Sequence, residues 1–256
     1  MKSLSILDFD GVFCDSAFEN AVTAWRVCHR LWPAEFDSAA VPEEVARRFG
    51  VARPFLETGW QSVAMVWAIA RKMPSTAYST GLESSLPSLL DQMHSSRGEL
   101  VDRFREERNR YLEEDAAGWL ALHRFYPGAA DALRILQQRG EVRILTTKET
   151  SFVRELFAHE CVEVADECIL GLDRIANKRQ SLREFAGSGK YDRIAFVEDR
   201  YETLRKCAAT AELQSIRLFL AAWGYNTPGQ RAMAASGDGA RMTVLEHPAA
   251  LCGIVD

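Results

Sequence analysis

Apolar and polar positions follow two different rhythms along this chain. From Pro42 to His123 apolar residues recur at helical spacing, most clearly over Pro42–Phe49, Pro54–Lys72 and Glu99–Leu122, with no strand-like run among them. On either side the rhythm changes. Leu4-Ser5-Ile6-Leu7 has the character of a short buried strand, and after Tyr126-Pro127-Gly128 helical stretches alternate with short apolar runs. Strands are expected over Val142–Leu145, Val162–Leu170, Arg193–Val197 and Ser215–Leu220, and in the weaker pattern of Met242–Leu245. Helices are expected from Ala17 to Trp32, with Asp15-Ser16 supplying N-cap chemistry and Pro33 ending the pattern, and over Ala129–Arg139, Phe152–His159, Gln180–Ala186 and Tyr201–Ala211. Ala234 to Ala240, rich in small residues, is expected to be a loop. Alternating strands and helices argue for βαβ units around a parallel sheet. The predicted fold is therefore α/β, a Rossmann-like doubly wound parallel sheet built from residues 1–16 and 124–256, with an all-helical domain inserted over 17–123.

Composition narrows the function classes. The 256 residues are 47% apolar and 26% charged, close to the soluble globular average, with a net charge of only −5 and both signs interspersed. Such a surface has no broad basic field for nucleic acid or anionic lipid, so neither is an expected partner. No run approaches the length of a membrane span, and Leu4–Leu7 is too short for a signal segment, so the expected location is the cytoplasm. Cys14, Cys28, Cys161, Cys168, Cys207 and Cys252 show neither zinc spacing nor a disulfide framework, which suits a reducing compartment. The five histidines have no ligand spacing either.

Ligands of open parallel sheets bind beyond the carboxyl ends of the strands, so the residues just after each strand carry the candidate chemistry. Asp8-Phe9-Asp10-Gly11 follows the first strand, and two carboxylates one residue apart can divide the labour of nucleophile and proton donor. A structural Asp pair is the competing reading there; a calcium loop is not, because the remaining oxygen ligands are absent. Thr146-Thr147-Lys148 follows the second core strand, as phosphoryl-oxygen donors or as a helix cap. Lys178 near a helix start could neutralise an attacking carboxylate or be plain solvated surface. Glu198-Asp199 follows a strongly apolar strand, where adjacent carboxylates call for a cation or a basic partner such as Arg193 or Arg200.

The order of these features along the chain resembles the haloacid dehalogenase superfamily. The matching residues are Asp8-Phe9-Asp10-Gly11-Val12, Tyr126-Pro127-Gly128, Thr146-Thr147-Lys148, Lys178 and Glu198-Asp199, lying on both sides of an insertion of the size of that family's helical cap. The insertion is similar to the cap of the subgroup containing phosphoglycolate phosphatase and β-phosphoglucomutase. The resemblance implies a Mg²⁺-dependent phosphatase acting on a small phosphorylated metabolite through an aspartyl-phosphate, as a monomer or homodimer. Asp8 would be the nucleophile and Asp10 the acid/base, with Thr146 and Lys178 orienting Asp8 and the phosphoryl oxygens. Asp8, Asp10 through its carbonyl, Asp199 and Glu198 would form the metal site. Arg53 and Glu57 in the insertion, with Thr147 and Lys148, would face the substrate. One departure is Thr203, which stands where many relatives carry a further acid, so either Glu198 or Glu202 could support the metal.

Ala222-Trp223-Gly224-Tyr225-Asn226-Thr227-Pro228 resembles a loop in uncharacterised plant and cyanobacterial members that also carry Val-Glu-Asp-Arg, as at Val197–Arg200 here. It implies no substrate. Trp60, Val63, Val66, Trp67 and Ala70 recur at helical spacing and read as packing of the helical domain. Two further functions compete. Phosphomutases and carbon–halogen or carbon–phosphorus hydrolases share the scaffold, although the latter two usually lack an acid where Asp10 stands. A non-catalytic phosphate-binding protein is the alternative outside enzymes.

Overall fold

The computed structural model of the chain describes residues 2–78, 82–237 and 241–255. These form two compact units, one from residues 1–15 and 124–256 and one from 16–123. In chain order the elements begin with β1 (Ser3–Leu7) and β2 (Cys14–Asp15), continue through α1 (Ala17–Leu31), α2 (Glu43–Ala52), α3 (Gln61–Ala70), α4 (Leu82–Met93), α5 (Arg97–Glu114) and α6 (Ala116–Ala121), and return with β3 (Arg124–Phe125). There follow α7 (Ala129–Arg139), β4 (Glu141–Leu145), α8 (Thr150–His159), β5 (Ile169–Leu170), α9 (Lys178–Gly187), β6 (Arg193–Glu198), α10 (Tyr201–Ala208), β7 (Ile216–Ala221), α11 (Pro228–Ser236) and β8 (Met242–Leu245).

The first unit is a parallel sheet in the order β5-β4-β1-β6-β7-β8. All five residues of β1 are buried, as a central parallel strand covered on both faces requires. Leu4 and Ile6 pack with Leu182, Phe196, Leu204 and Leu218 in one cluster. The loop after β1 is anchored by an aromatic group, with the Phe9 and Phe13 rings edge-on to Phe157 at centroid distances of 5.1 and 5.6 Å. A second, two-stranded antiparallel sheet pairs Cys14 with Phe125 and Asp15 with Arg124, joining the points at which the chain leaves and re-enters this unit. Two-residue strands carry no periodicity, so the sequence pattern does not reveal them.

Among the described residues of the second unit, the regular elements are all helices, joined by turns and loops such as that over residues 32–42. Its centre is α3, buried from Gln61 to Ile69, with Trp60, Val63, Val66 and Trp67 in the core and Ala70 packed against it, as the pattern predicted. No described helix is long and apolar enough to cross a membrane.

Several expected boundaries differ. The single helix over Pro54–Lys72 is instead a short 3₁₀ turn at Arg53–Phe55, an interruption, and α3. The interruption is held by the Gln61 Oε1, which accepts from the Glu57 and Thr58 N–H groups at 2.6 and 3.0 Å. Glu99–Leu122 is split because Asp115 ends α5 and caps α6, accepting from the Gly118 N–H at 2.8 Å. Val162–Leu170 is extended in the ladder only at Ile169–Leu170; before it, Arg174 donates to the Asp166 carbonyl and carboxylate at 2.6 and 2.5 Å and secures a 3₁₀ turn. Tyr201–Ala211 ends at Ala208 as a helix. Ser16 stands at the N-cap of α1 without a side-chain cap bond, and instead its carbonyl and hydroxyl accept from Asn20 at 2.8 and 3.3 Å. Of the loop expected over Ala234–Ala240, Ala234–Ser236 complete α11, and Asp238–Ala240 lie outside the described residues.

Candidate active site

The carboxyl ends of β1, β4 and β6 converge with the start of α9. Asp8 continues the ladder beyond β1, its N–H donating to the Val197 carbonyl at 3.0 Å, and its side chain is 8% exposed. One oxygen, Oδ1, accepts from the Phe9 N–H at 2.7 Å. The other lies 2.7 Å from the Lys178 ammonium. The same ammonium reaches Glu198 at 2.8 Å, and Glu198 in turn accepts from the Arg200 N–H at 3.2 Å. Lys178 is the first residue of α9, whose N-cap is Asn177. A cation is disfavoured at that end of a helix dipole, so its place is accounted for by the two carboxylates that hold it.

Asp199 completes the acidic group: oxygens of Asp8, Glu198 and Asp199 lie within 4.8 Å of one another, all three residues buried. Burial, then the neighbouring Glu198 charge, push the Asp8 carboxyl up to about 7 against the pull of Lys178. Glu198 is raised as well, chiefly by burial. Lys178 is raised by its two carboxylates, which outweigh its own desolvation. Three carboxylates beside one ammonium gather hard oxygen donors at a buried place, a group that could hold a divalent metal ion. Glu202 stands apart, in an exposed pair with Arg205 at 2.8 Å. Of the two acids left open by the sequence, Glu198 is the one in the cluster.

Asp10 faces a different partner. Its Oδ1 lies 3.0 Å from the Lys148 ammonium, and the Asp10 side chain is 17% exposed where that of Lys148 is wholly buried. Thr146 lies at the tip of β4, its N–H donating to the Leu170 carbonyl and its hydroxyl accepting from the Lys148 N–H at 3.1 Å. Thr147 beside it is half-buried. The six core candidates, Asp8, Asp10, Thr146, Glu198 and Asp199 at strand ends and Lys178 at the start of α9, thus lie at the carboxyl end of the sheet. Arg53 and Glu57 belong to the helical unit, the first buried in its 3₁₀ turn and the second exposed.

Sequence reasoning attached no role to the loop after β7. The Tyr225 N–H donates to the Asp199 Oδ2 at 2.7 Å, and the Asn226 side-chain amide donates to the carbonyls of Asp199 and Ala221 at 3.0 and 2.8 Å. Trp223 Nε1 donates to the Val12 carbonyl at 3.1 Å, and the Tyr225 hydroxyl to Asp15 at 2.8 Å. Two glycines make this approach possible. Gly11, at φ +82°, faces Asp199, and a Cβ on Gly224 would meet the Gly11 carbonyl at 2.3 Å. The only sequence signal was Trp-Gly-Tyr-Asn, aromatic and amide groups around a glycine directly after a buried strand.

No family model and no curated protein matches the chain. Solved structures do. A predicted phosphoglycolate phosphatase from Haemophilus somnus 129pt superposes with a TM-score of 0.62 at 15% identity, over 100% of this chain and 98% of that one. A predicted phosphatase from Clostridium acetobutylicum gives 0.59 at 16% identity, over 96% and 94%. A haloacid dehalogenase-like family hydrolase from Streptococcus pneumoniae gives 0.53 at 15%, over 96% and 95%. At these identities the likeness is one of architecture, and it spans nearly the full length on both sides. The chain shares the fold of these structures, a doubly wound parallel sheet interrupted by an inserted helical domain.

Proposed function

We propose that the protein is a Mg²⁺-dependent phosphomonoester hydrolase acting on a small phosphorylated metabolite through an aspartyl-phosphate. The observation that carries this reading is the division between two carboxylates on one loop: Asp8 buried against Lys178, Asp10 partly exposed against Lys148. Separate environments are what a nucleophile and a proton carrier need. In the first half-reaction a carboxylate oxygen of Asp8 forms a bond to phosphorus as the bond to the leaving oxygen breaks, and Asp10 gives that oxygen its proton. In the second, Asp10 takes a proton from water as the water oxygen bonds to phosphorus and the Asp8–phosphorus bond breaks. Lys178 offsets negative charge on Asp8 and the phosphoryl oxygens throughout, and Thr146 donates its hydroxyl to one of them.

Asp8, Asp199 and Glu198, with the Asp10 carbonyl, would hold the Mg²⁺. When bound, it would supply positive charge against the phosphoryl group. Glu198 would also orient Lys178, which it already contacts. Selectivity falls to Arg53 and Glu57 of the helical unit and to Thr147. The phosphatase descriptions of two of the similar structures agree with the reaction class. They leave the substrate to be found.

The test is phosphate release from p-nitrophenyl phosphate and from a panel of phosphorylated metabolites, with and without Mg²⁺ and with excess chelator. Mg²⁺-dependent turnover is expected. Full activity in chelator would remove the metal assignment, and no turnover across the panel would favour a phosphate-binding protein.

A further inference from the structure

Lys148 was expected to touch substrate, yet its surroundings tie it to Asp10. Its backbone is fixed twice, its N–H donating to the Thr146 hydroxyl at 3.1 Å and its carbonyl accepting from the Leu172 N–H at 3.1 Å. Its side chain runs to an ammonium 5.7 Å from the centroid of the Phe9 ring, which is itself locked among Phe13, Phe125 and Phe157. At the end of this rigid arm the ammonium meets Asp10 at 3.0 Å, with no part of the Lys148 side chain exposed. Solvent reaches the carboxylate and not the ammonium.

We infer that Lys148 is a positioning residue that acts through Asp10, fixing the direction in which the proton-carrying carboxylate points, and is not a substrate contact. This rests on the reaction proposed above. A carboxylate on a two-torsion side chain has several rotamers, and an ion pair from a wholly buried ammonium selects one. The consequence is specific to proton transfer. A misdirected Asp10 would penalise leaving groups that need a proton and spare those that depart as stable anions.

The experiment compares wild type, Lys148→Met, Lys148→Arg and Asp10→Asn on substituted phenyl phosphates running from p-nitrophenyl to p-methoxyphenyl. Release of the phenol is followed in the first turnover, because the second half-reaction is common to all of them. General acid catalysis contributes on the order of 10²- to 10⁴-fold, and a misplaced group forfeits part of it. Lys148→Met should therefore lose about tenfold more at the p-methoxy end than at the p-nitro end, in the first-turnover rate constant, with the half-saturating substrate concentration little changed. Lys148→Arg should restore much of the difference, and adding Lys148→Met to Asp10→Asn should cost little more. A uniform loss along the series, or a rise in KM with the slope unchanged, would overturn the inference. Methionine keeps an unbranched apolar stem in place of the lysine's, and if that variant does not fold, Lys148→Gln serves the same comparison. Absence of turnover by wild type along the whole series would be a failure of the proposed reaction itself, and the inference would fall with it.

Discussion

Gly224 offers the sharpest test of how Asp199 is held. A Cβ there would sit 2.3 Å from the Gly11 carbonyl oxygen and 2.4 Å from the Asp199 Cβ. Neither neighbour is the loose end of a flexible side chain. In Gly224→Ala the loop after β7 must retreat by about 1 Å before ordinary contact distances return. The Tyr225 N–H to Asp199 bond, 2.7 Å in the native protein, would then stretch beyond hydrogen-bonding range. Overpacking of this kind costs about 1 to 3 kcal/mol in stability. The larger consequence is local, since a displacement of about 1 Å at a reacting group can cost about 10² in rate. The assay is a Mg²⁺ titration of p-nitrophenyl phosphate turnover beside a thermal melt. The variant should remain folded, need roughly tenfold more Mg²⁺ for half-maximal rate, and show a lower kcat. Native Mg²⁺ dependence in a variant with the expected loss of melting temperature would refute the role given to the loop.

Asp8→Asn should abolish turnover and trapping of a phosphoenzyme; because the neutral carboxyl is favoured at that buried place, the metal-free variant should melt no lower than wild type at pH 8, and a clearly lower melt would contradict the raised Asp8 value. The folded state of the metal-free protein retains a proton on Asp8 that the unfolded chain has already lost between about pH 4 and about 7, so that stability falls as pH rises through this window. Mg²⁺ bound at Asp8 would take the place of that proton, so the rise in melting temperature on adding Mg²⁺ should be larger at pH 8 than at pH 6; an equal rise at both would count against binding at Asp8. Arg53→Ala should lower kcat/KM for the natural substrate by about ten- to a hundred-fold, the worth of a contact to a charged group, and leave p-nitrophenyl phosphate much less affected. Equal losses on the two would assign Arg53 to folding, a readout that circular dichroism supplies independently.

Elements with a strong period were legible before the structure. Leu4–Leu7, Arg193–Val197 and Ser215–Leu220 lie in β1, β6 or β7 within a residue or two, because strands buried on both faces are continuous apolar runs. The failures share a cause. Gln61, Asp115 and Arg174 end or interrupt elements through side chains that bond to nearby backbone, and no apolar period records such bonds. The start of α11 was readable and passed over: Thr227-Pro228-Gly229-Gln230 forms a capping box with Pro at the first turn. At the site, strand-end placement found the carboxylates and Lys178. Partnership was hidden, since nothing in Thr-Thr-Lys says that the ammonium turns to Asp10, and nothing in Trp-Gly-Tyr-Asn says that it braces Asp199. Those contacts join segments brought together only by the sheet order.

That order bears on how the protein comes into being. β1 lies in the middle of the sheet, with Leu4 opposite Glu141 on one side and Ile194 on the other. On a growing chain both partners are made more than a hundred residues later. The helical unit of residues 16–123, whose contacts are more local, can condense in the meantime, while Leu4–Leu7 waits without neighbours. Loop closure over such distances slows folding, and the strand that bears Asp8 would be among the last to be enclosed. A nascent or mistreated chain would therefore leave the short apolar strand Leu4–Leu7 exposed. Its aspartates would have no site until the far half of the sheet arrives.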